Sequence, residues 1–298
     1  MDVWSSSSTH ADIFIPSPTS PSLRKSPPRQ GFVHQFFDAG FQFTPFTRDV
    51  AGLVANSSAE AEPYVSSPAA AAAALGDDAS GGRGSIPLSD PFHTAYRSLE
   101  EQNGFLADLA RVYPWLATVV DLGQTPEGRP LTGIRIGEAP ASKDKRKKEI
   151  VYLSGQHGRE WIGPSAVLYW AHWLLENAKS AAVRPLLRNL DLTIIPNLNG
   201  DGYEYSRESS RLWRKTRQVI DEESGCVGID TNRNWGYQWS SGVKDGDPCS
   251  EDFPGEQAFQ AKEVELVAEY IKSQNTIGFV DLHSYGPSWP SCFASKFR

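Results

Sequence analysis

The chain has 298 residues, 39% of them hydrophobic, and a formal net charge of −7 at pH 7. That length supplies one large core or two smaller ones, and the acidic balance argues against a nucleic-acid partner. No apolar run is long enough to cross a bilayer, so no membrane partner is expected.

The first residues, Met1-Asp2-Val3-Trp4-Ser5, carry neither the basic nor the apolar region of a secretion signal. An alternating stretch at 10–15 reads as a strand and runs into a Pro- and Ser-rich segment at 16–21. Residues 69–74 are alanine and 76–82 are rich in Gly, Asp and Ser, which predicts a disordered linker ending near 89–91. Residues 1–91 therefore read as one N-terminal region and 92–298 as the main domain. A glycosylation sequon stands at Asn56-Ser57-Ser58.

From residue 92 the pattern is regular. Apolar spacing predicts a helix over 99–110, closed by Pro114. Residues 117–122 and 131–136 read as strands joined by a turn at 127–129. There follow a strand at 150–153, a helix over 163–178, a strand at 190–195, an irregular polar stretch, a helix over 256–273 and a strand at 277–283. The basic run at 143–148 reads as a solvated loop. Strands alternating with helices imply an α/β protein, a three-layer α/β/α arrangement around a mixed, largely parallel twisted sheet.

His157 and Glu160 sit in one short segment after the strand at 150–153, and His283 ends the strand at 277–283. Two ligands close together and one far away describe a catalytic zinc site, with the fourth position left for water or substrate. In α/β sheets such sites form at the carboxyl ends of strands. Among the other histidines, His10 and His34 fall in the irregular N-terminal region. His172 lies in a Trp-rich helix and is expected to pack, whereas His93 reads as a surface or capping residue. Cys226 and Cys249 flank a polar loop and Cys292 lies near the end, and spacing alone leaves their pairing open.

Several stretches together resemble the zinc metallocarboxypeptidases of the carboxypeptidase A/B type. They are Gly155-Gln156-His157-Gly158-Arg159-Glu160-Trp161, Asn199-Gly200-Asp201-Gly202-Tyr203, Arg211-Leu212-Trp213-Arg214-Lys215-Thr216-Arg217, Asp230-Thr231-Asn232-Arg233-Asn234-Trp235, Pro248-Cys249-Ser250-Glu251 and Leu282-His283-Ser284-Tyr285. The resemblance covers about 92–286. It implies one zinc ion on His157, Glu160 and His283, with Asp230 orienting His157. It makes Arg214 the stabiliser of the oxyanion, Asn232 and Arg233 the holders of the substrate's terminal carboxylate, and Arg159 with Tyr285 the lining of the next subsites. It pairs Cys226 with Cys249, and it likens the first fifteen or so residues to a fragment of the family's propeptide.

Two departures stand out. Position 200 is Gly where the family usually has Pro, in what reads as a loop, with little effect expected. The family's general-base glutamate lies well downstream of the third ligand. Here the tail 286–298 holds no Glu or Asp and does not resemble the family beyond Tyr285, so the sheet is expected to be incomplete at that end. The resemblance thus implies a monomeric, secreted or vacuolar carboxypeptidase acting on peptide or protein C-termini, with impaired turnover in this chain. The alternative is a non-catalytic zinc-binding relative with a cell-wall or binding role. Such fungal relatives tend to lose residues around the Asn-Arg pair, and Asn232, Arg233 and Arg214 are kept here. A zinc hydrolase acting on small acylated amino acids would share the His-x-x-Glu pattern but not the Cys226–Cys249 pair.

Overall fold

A computed structural model of the chain describes residues 2–6, 11–14, 62–66, 85–139, 147–223, 225–239 and 246–284. The sequon at Asn56, the alanine and glycine runs, most of the basic run, Tyr285, Cys292 and the tail lie outside the described residues. The chain divides into two units. In the smaller, N-terminal one, β1 (Asp2–Ser6) pairs antiparallel with β2 (Ala11–Phe14). The strand read at 10–15 is β2, and its partner was not legible in the sequence. The larger unit begins at Glu60.

In that unit, α1 (Leu99–Val112) starts at a capping box. Ser98 accepts from the Glu101 backbone N–H, and the Glu101 side chain accepts from the Ser98 N–H, which satisfies two donors left open at a helix start. Leu99, Phe105, Leu106, Leu109 and Val112 fall on its buried face at helical spacing. The hairpin β3 (Ala117–Gln124) and β4 (Pro130–Ile136) follows as read. Then come β5 (Lys148–Ser154), α2 (Ile162–Glu176), a short α3 (Arg184–Asn189) and β6 (Leu190–Ile195).

The stretch read as irregular holds α4 (Gly200–Glu208), a small hairpin of β7 (Val219–Asp221) and β8 (Cys226–Val227), and a single 3-10 turn at Thr231–Arg233. The Gly-Asp-Gly start of α4 has poor helix propensity. Its N-cap Asn199, which accepts from Gly202 N–H, and the burial of Asp201 and Tyr203 outweigh that. Position 200 is therefore a helix start and not a loop. A Cβ there would meet Leu99 Cδ2 at 2.7 Å, so the glycine lets α4 pack on α1. The helix read over 256–273 is α5 (Lys262–Ser273) and begins late. Gly255 and Phe259 both hold positive φ, which no helix continues through. β9 (Thr276–Leu282) closes the described sheet.

That sheet has the order β3-β4-β6-β5-β9. It is mixed: β3–β4 and β4–β6 run antiparallel, whereas β5 runs parallel to both β6 and β9. Side chains alternate across it. Ile134, Ile136, Leu192 and Ile194 join Phe105, Leu109, Leu168 and Leu174 from α1 and α2 in one core. On the opposite face Leu131, Val151, Leu153 and Ile195 join Val264, Val267 and Ile271 of α5 in a second. These are the three layers. Ile86 is fully buried in the first core, so packing begins upstream of residue 92. His172 is also fully buried and pairs with His93 (Nδ1 to Nε2, 2.8 Å), which makes His93 a half-buried partner of α2 and not a surface residue.

Candidate metal centre

The parallel strands β5 and β9 lie side by side, so their carboxyl ends open at the same edge of the sheet. His157 and Glu160 follow the first and His283 follows the second. Gly155 turns the chain out of β5 with φ +66°, and a Cβ there would meet Asn197 Cα at 2.8 Å. Only glycine satisfies both the left-handed backbone and the close approach. Gly158 is hemmed in likewise, 2.3 Å from a Cβ position to the Gly202 carbonyl oxygen on α4. The loop between them is tied down at its carbonyls: Asn199 Nδ2 and Thr231 Oγ1 donate to Gln156 O at 3.1 and 2.9 Å, and Ser206 Oγ donates to Gly158 O at 2.8 Å. The unread helix α4 is thus the shelf that fixes the first half of the site.

Three side chains converge there. His157 Nδ1 lies 2.5 Å from Glu160 Oε1, and His283 Nδ1 lies 3.0 Å from Glu160 Oε2. One donor atom from each falls within 4.8 Å of the others. Each imidazole is held from behind through its other nitrogen, His157 Nε2 by Asp230 Oδ1 at 3.2 Å and His283 Nε2 by Asp281 Oδ2 at 2.7 Å. Both rings therefore turn the same nitrogen, Nδ1, toward the carboxylate. His157, Glu160 and Asp230 are buried, at 3%, 7% and 0% exposure.

The electrostatics follow from that crowding. Burial alone would push the Glu160 carboxyl up, but the hydrogen bonds from His157 and His283 overcome it and hold it at about 2. Burial would lower His283, yet Asp281 and Glu160 carry it up to about 10. Burial opposes ionisation of Asp230 as well, and His157 with Arg214 drives it well below the usual carboxylate range. Two imidazoles and one carboxylate facing one point, each imidazole backed by a second carboxylate, are a donor set that fits zinc. The other cluster of candidate donors, Cys226, Asp247 and Cys249, offers no thiolate because the two cysteines form a disulfide with each other.

Arg214 is bound edge-on to Asp230, with Nε at 3.1 Å and Nη2 at 2.8 Å from Oδ2. One carboxylate thereby positions both His157 and Arg214. Asn232 joins the network through its backbone, its N–H donating to Asp230 Oδ1 at 2.9 Å. Arg233 is exposed on the same 3-10 turn, and its Nη1 donates to the Asn232 carbonyl at 3.2 Å. Arg159 Nη1 donates to Leu212 O at 3.3 Å and to Glu251 Oε2 at 3.1 Å. Tyr285 lies outside the described residues.

Three further residues support the centre. Asp281 precedes His283 by two positions and shares its face of the strand, a spacing the alternation of β-residues makes readable. Gln156 donates to the same Asp281 oxygen and accepts from Trp235 Nε1 at 3.1 Å, which joins three distant segments. No sequence signal identifies the Gln156 contacts.

The sequence profile described as zinc carboxypeptidase (Peptidase_M14) matches residues 103–296. The match runs past Tyr285, the last residue of the motif resemblance. A protein named inactive metallocarboxypeptidase ECM14, from Ajellomyces capsulatus (strain H143), is 33% identical over 301 residues, covering 96% of this chain and 46% of its own length. Its counterpart in Paracoccidioides brasiliensis (strain Pb18) is 38% identical over 208 residues, covering 63% of this chain and 35% of its own. The chain spans about half the length, or less, of these curated relatives. Among solved structures, carboxypeptidase A from Helicoverpa armigera superposes with a TM-score of 0.67 at 28% identity, over 87% of this chain and 59% of that one. Thrombin activatable fibrinolysis inhibitor (TAFI) gives 0.64 at 25%, over 80% and 54%.

Proposed function

Because this chain belongs to the zinc carboxypeptidase family, we propose that it holds one zinc ion on His157, Glu160 and His283 and uses it to engage the C-terminal end of a peptide or protein. The observation that carries this reading is the convergence of the two Nδ1 atoms on the Glu160 carboxylate. Zinc bound there would polarise the scissile carbonyl and acidify a bound water.

The remaining work falls to the chain's own groups. Asp230 and Asp281 hold the imidazoles in one tautomer and raise their basicity. Arg214, pre-set by Asp230, stabilises negative charge growing on the carbonyl oxygen. Arg233, exposed beside Asn232, grips the terminal carboxylate, a planar fork-to-carboxylate match. Arg159, and Tyr285 beyond it, line the next subsites. The Cys226–Cys249 bridge supports a secreted or vacuolar setting. Residues 1–91 serve as a propeptide-like region and linker, and the working form is a monomer.

Turnover is proposed to be weak. Among the described residues, the carboxylates bonded to the two histidines are Glu160 itself, Asp230 and Asp281, and each is committed to a ring nitrogen. None of them serves as a free general base. The naming of the relatives as inactive favours a second reading, a zinc-dependent binder of peptide C-termini without catalysis.

Two measurements test the proposal. Zinc content is read for the purified chain and for His157→Ala and His283→Ala; unchanged content in both variants overturns the ligand set. Binding and hydrolysis are then compared for a blocked dipeptide and its C-terminal amide. Preference for the free acid in both is the expected result, and equal treatment of the two defeats C-terminal recognition. Binding without hydrolysis selects the second reading.

A further inference from the structure

The stretch before residue 85 has the composition of a linker, yet part of it packs within the larger unit. Glu62-Pro63-Tyr64 lies across the start of α1 and the 3-10 turn Pro91–Thr94. Arg97 Nη1 donates to Glu62 O at 2.8 Å, and Tyr64 N–H donates to Glu101 Oε1 at 2.6 Å. The Tyr64 ring meets Phe92 and Phe105 edge-on, at 5.0 and 5.8 Å between centroids, and Arg97 stands 5.8 Å from it. Phe92 and Phe105 are themselves stacked at 3.8 Å.

The polar groups of the seat are also held by contacts that do not involve the segment. Arg97 is 5% exposed, and its Nε donates to Phe92 O at 2.9 Å and its Nη2 to Pro91 O at 2.5 Å, so the guanidinium is locked with Nη1, 3.7 Å from Glu101 Oε1, turned toward the segment. Glu101 is locked too: its Oε2 completes the capping box of α1 by accepting from Ser98 N–H at 2.8 Å, and Oε1 remains for Tyr64. The seat therefore presents one donor, one acceptor and an aromatic edge at fixed spacing. An extended backbone presents the carbonyl of one residue and the N–H two residues on to the same side. The intervening proline has no N–H to leave unpaired, and it biases the residue before it to extended backbone. Glu-Pro-Tyr matches that order. Val65, the next residue, is 81% exposed and contributes nothing to the seat.

We propose that Phe92, Arg97, Glu101 and Phe105 form a peptide-docking seat for the Glu62-Pro63-Tyr64 segment of this chain, which fastens the polypeptide upstream of it to the folded unit independently of chain continuity between 66 and 85. The seat takes an extended, proline-preceded aromatic residue with a free backbone N–H. It makes no use of the metal centre.

The test uses the full chain with a site-specific protease sequence inserted between Ala74 and Leu75. After complete cleavage at low-micromolar concentration, the upstream fragment is expected to co-elute with the folded unit in size exclusion. Tyr64→Ala is expected to weaken retention at least about tenfold, because the ring contacts are lost. Tyr64→Phe and Val65→Ala should keep it. A synthetic peptide spanning 60–66, added in excess, should displace the fragment, which gives a readout that needs no variant to fold. Separation of the unsubstituted fragment, retention of Tyr64→Ala as tight as the parent, or failure of the peptide to displace at millimolar concentration each overturns the proposal.

Discussion

At the scale of the residue, the centre depends on carboxylates that bind no substrate. Asp230 accepts from His157, Arg214 and the Asn232 backbone at once, fully buried. Asp230→Asn removes the charge and keeps the volume, so the imidazole tautomer is no longer imposed. Zinc affinity should drop about 10- to 100-fold, read by competition against a chromophoric chelator. An unchanged affinity would mean that Asp230 serves only the fold. The candidate donors His157, Glu160 and His283 were legible in the sequence because they stand in short segments at strand ends. The role of Asp281 was half-legible from its spacing to His283, and that of Gln156 was not, because its partners Asp281 and Trp235 come from far along the chain.

At the scale of the element, α4 shows how a local preference is overruled. Its start is rich in glycine, and its place is decided by the Asn199 cap and by the loop it supports. Gly158 must pass within 2.3 Å (Cβ position) of the Gly202 carbonyl, so Gly158→Ala should push the 155–160 loop off that shelf. The expected cost is about 1–3 kcal/mol, seen in denaturant unfolding, together with weakened zinc binding.

The first turn of α5 carries a different tension. Glu263 is fully buried, and neither carboxyl oxygen finds a partner in another described residue. Burial, with Asp201 and Glu127 adding to it, pushes the carboxyl up to about 8. The folded chain then holds this proton more tightly than the unfolded chain, so the contribution is intact below about 4.5 and is lost as pH rises toward about 8. Glu263→Gln should flatten that decline in thermal melts, by at most about 1.4 kcal/mol per pH unit. A parent and variant with parallel pH curves would contradict it.

At the scale of the whole molecule, the candidate metal centre joins segments far apart in sequence, and the loop between Cys226 and Cys249 borders it through Asp230 and Asn232. Cys226→Ser with Cys249→Ser releases that loop, and the expected loss is about 3 kcal/mol. A fall in the unfolding midpoint measures it, and an unchanged midpoint would show that the loop is held by its hydrogen bonds alone. Two cores on opposite faces of one mixed sheet give the frame, and β9 is one of the two edge strands of the described sheet, with Ile277 about half exposed.

By itself the sequence determined most of the elements of the larger unit and pointed to three candidate donors. The helical spacing over 99–110, the short apolar run of β6 and the His-x-x-Glu spacing are set by neighbours within a few residues, where local sterics and hydrogen bonding act. Only the tertiary structure decided that Glu160 bridges two imidazoles, that Asp230 serves His157 and Arg214 together, that a glycine-led segment becomes a helix, and that Tyr64 leaves the linker to sit on α1. Those outcomes come from burial and pairing between residues tens of positions apart, and no local preference encodes which distant group will be the partner.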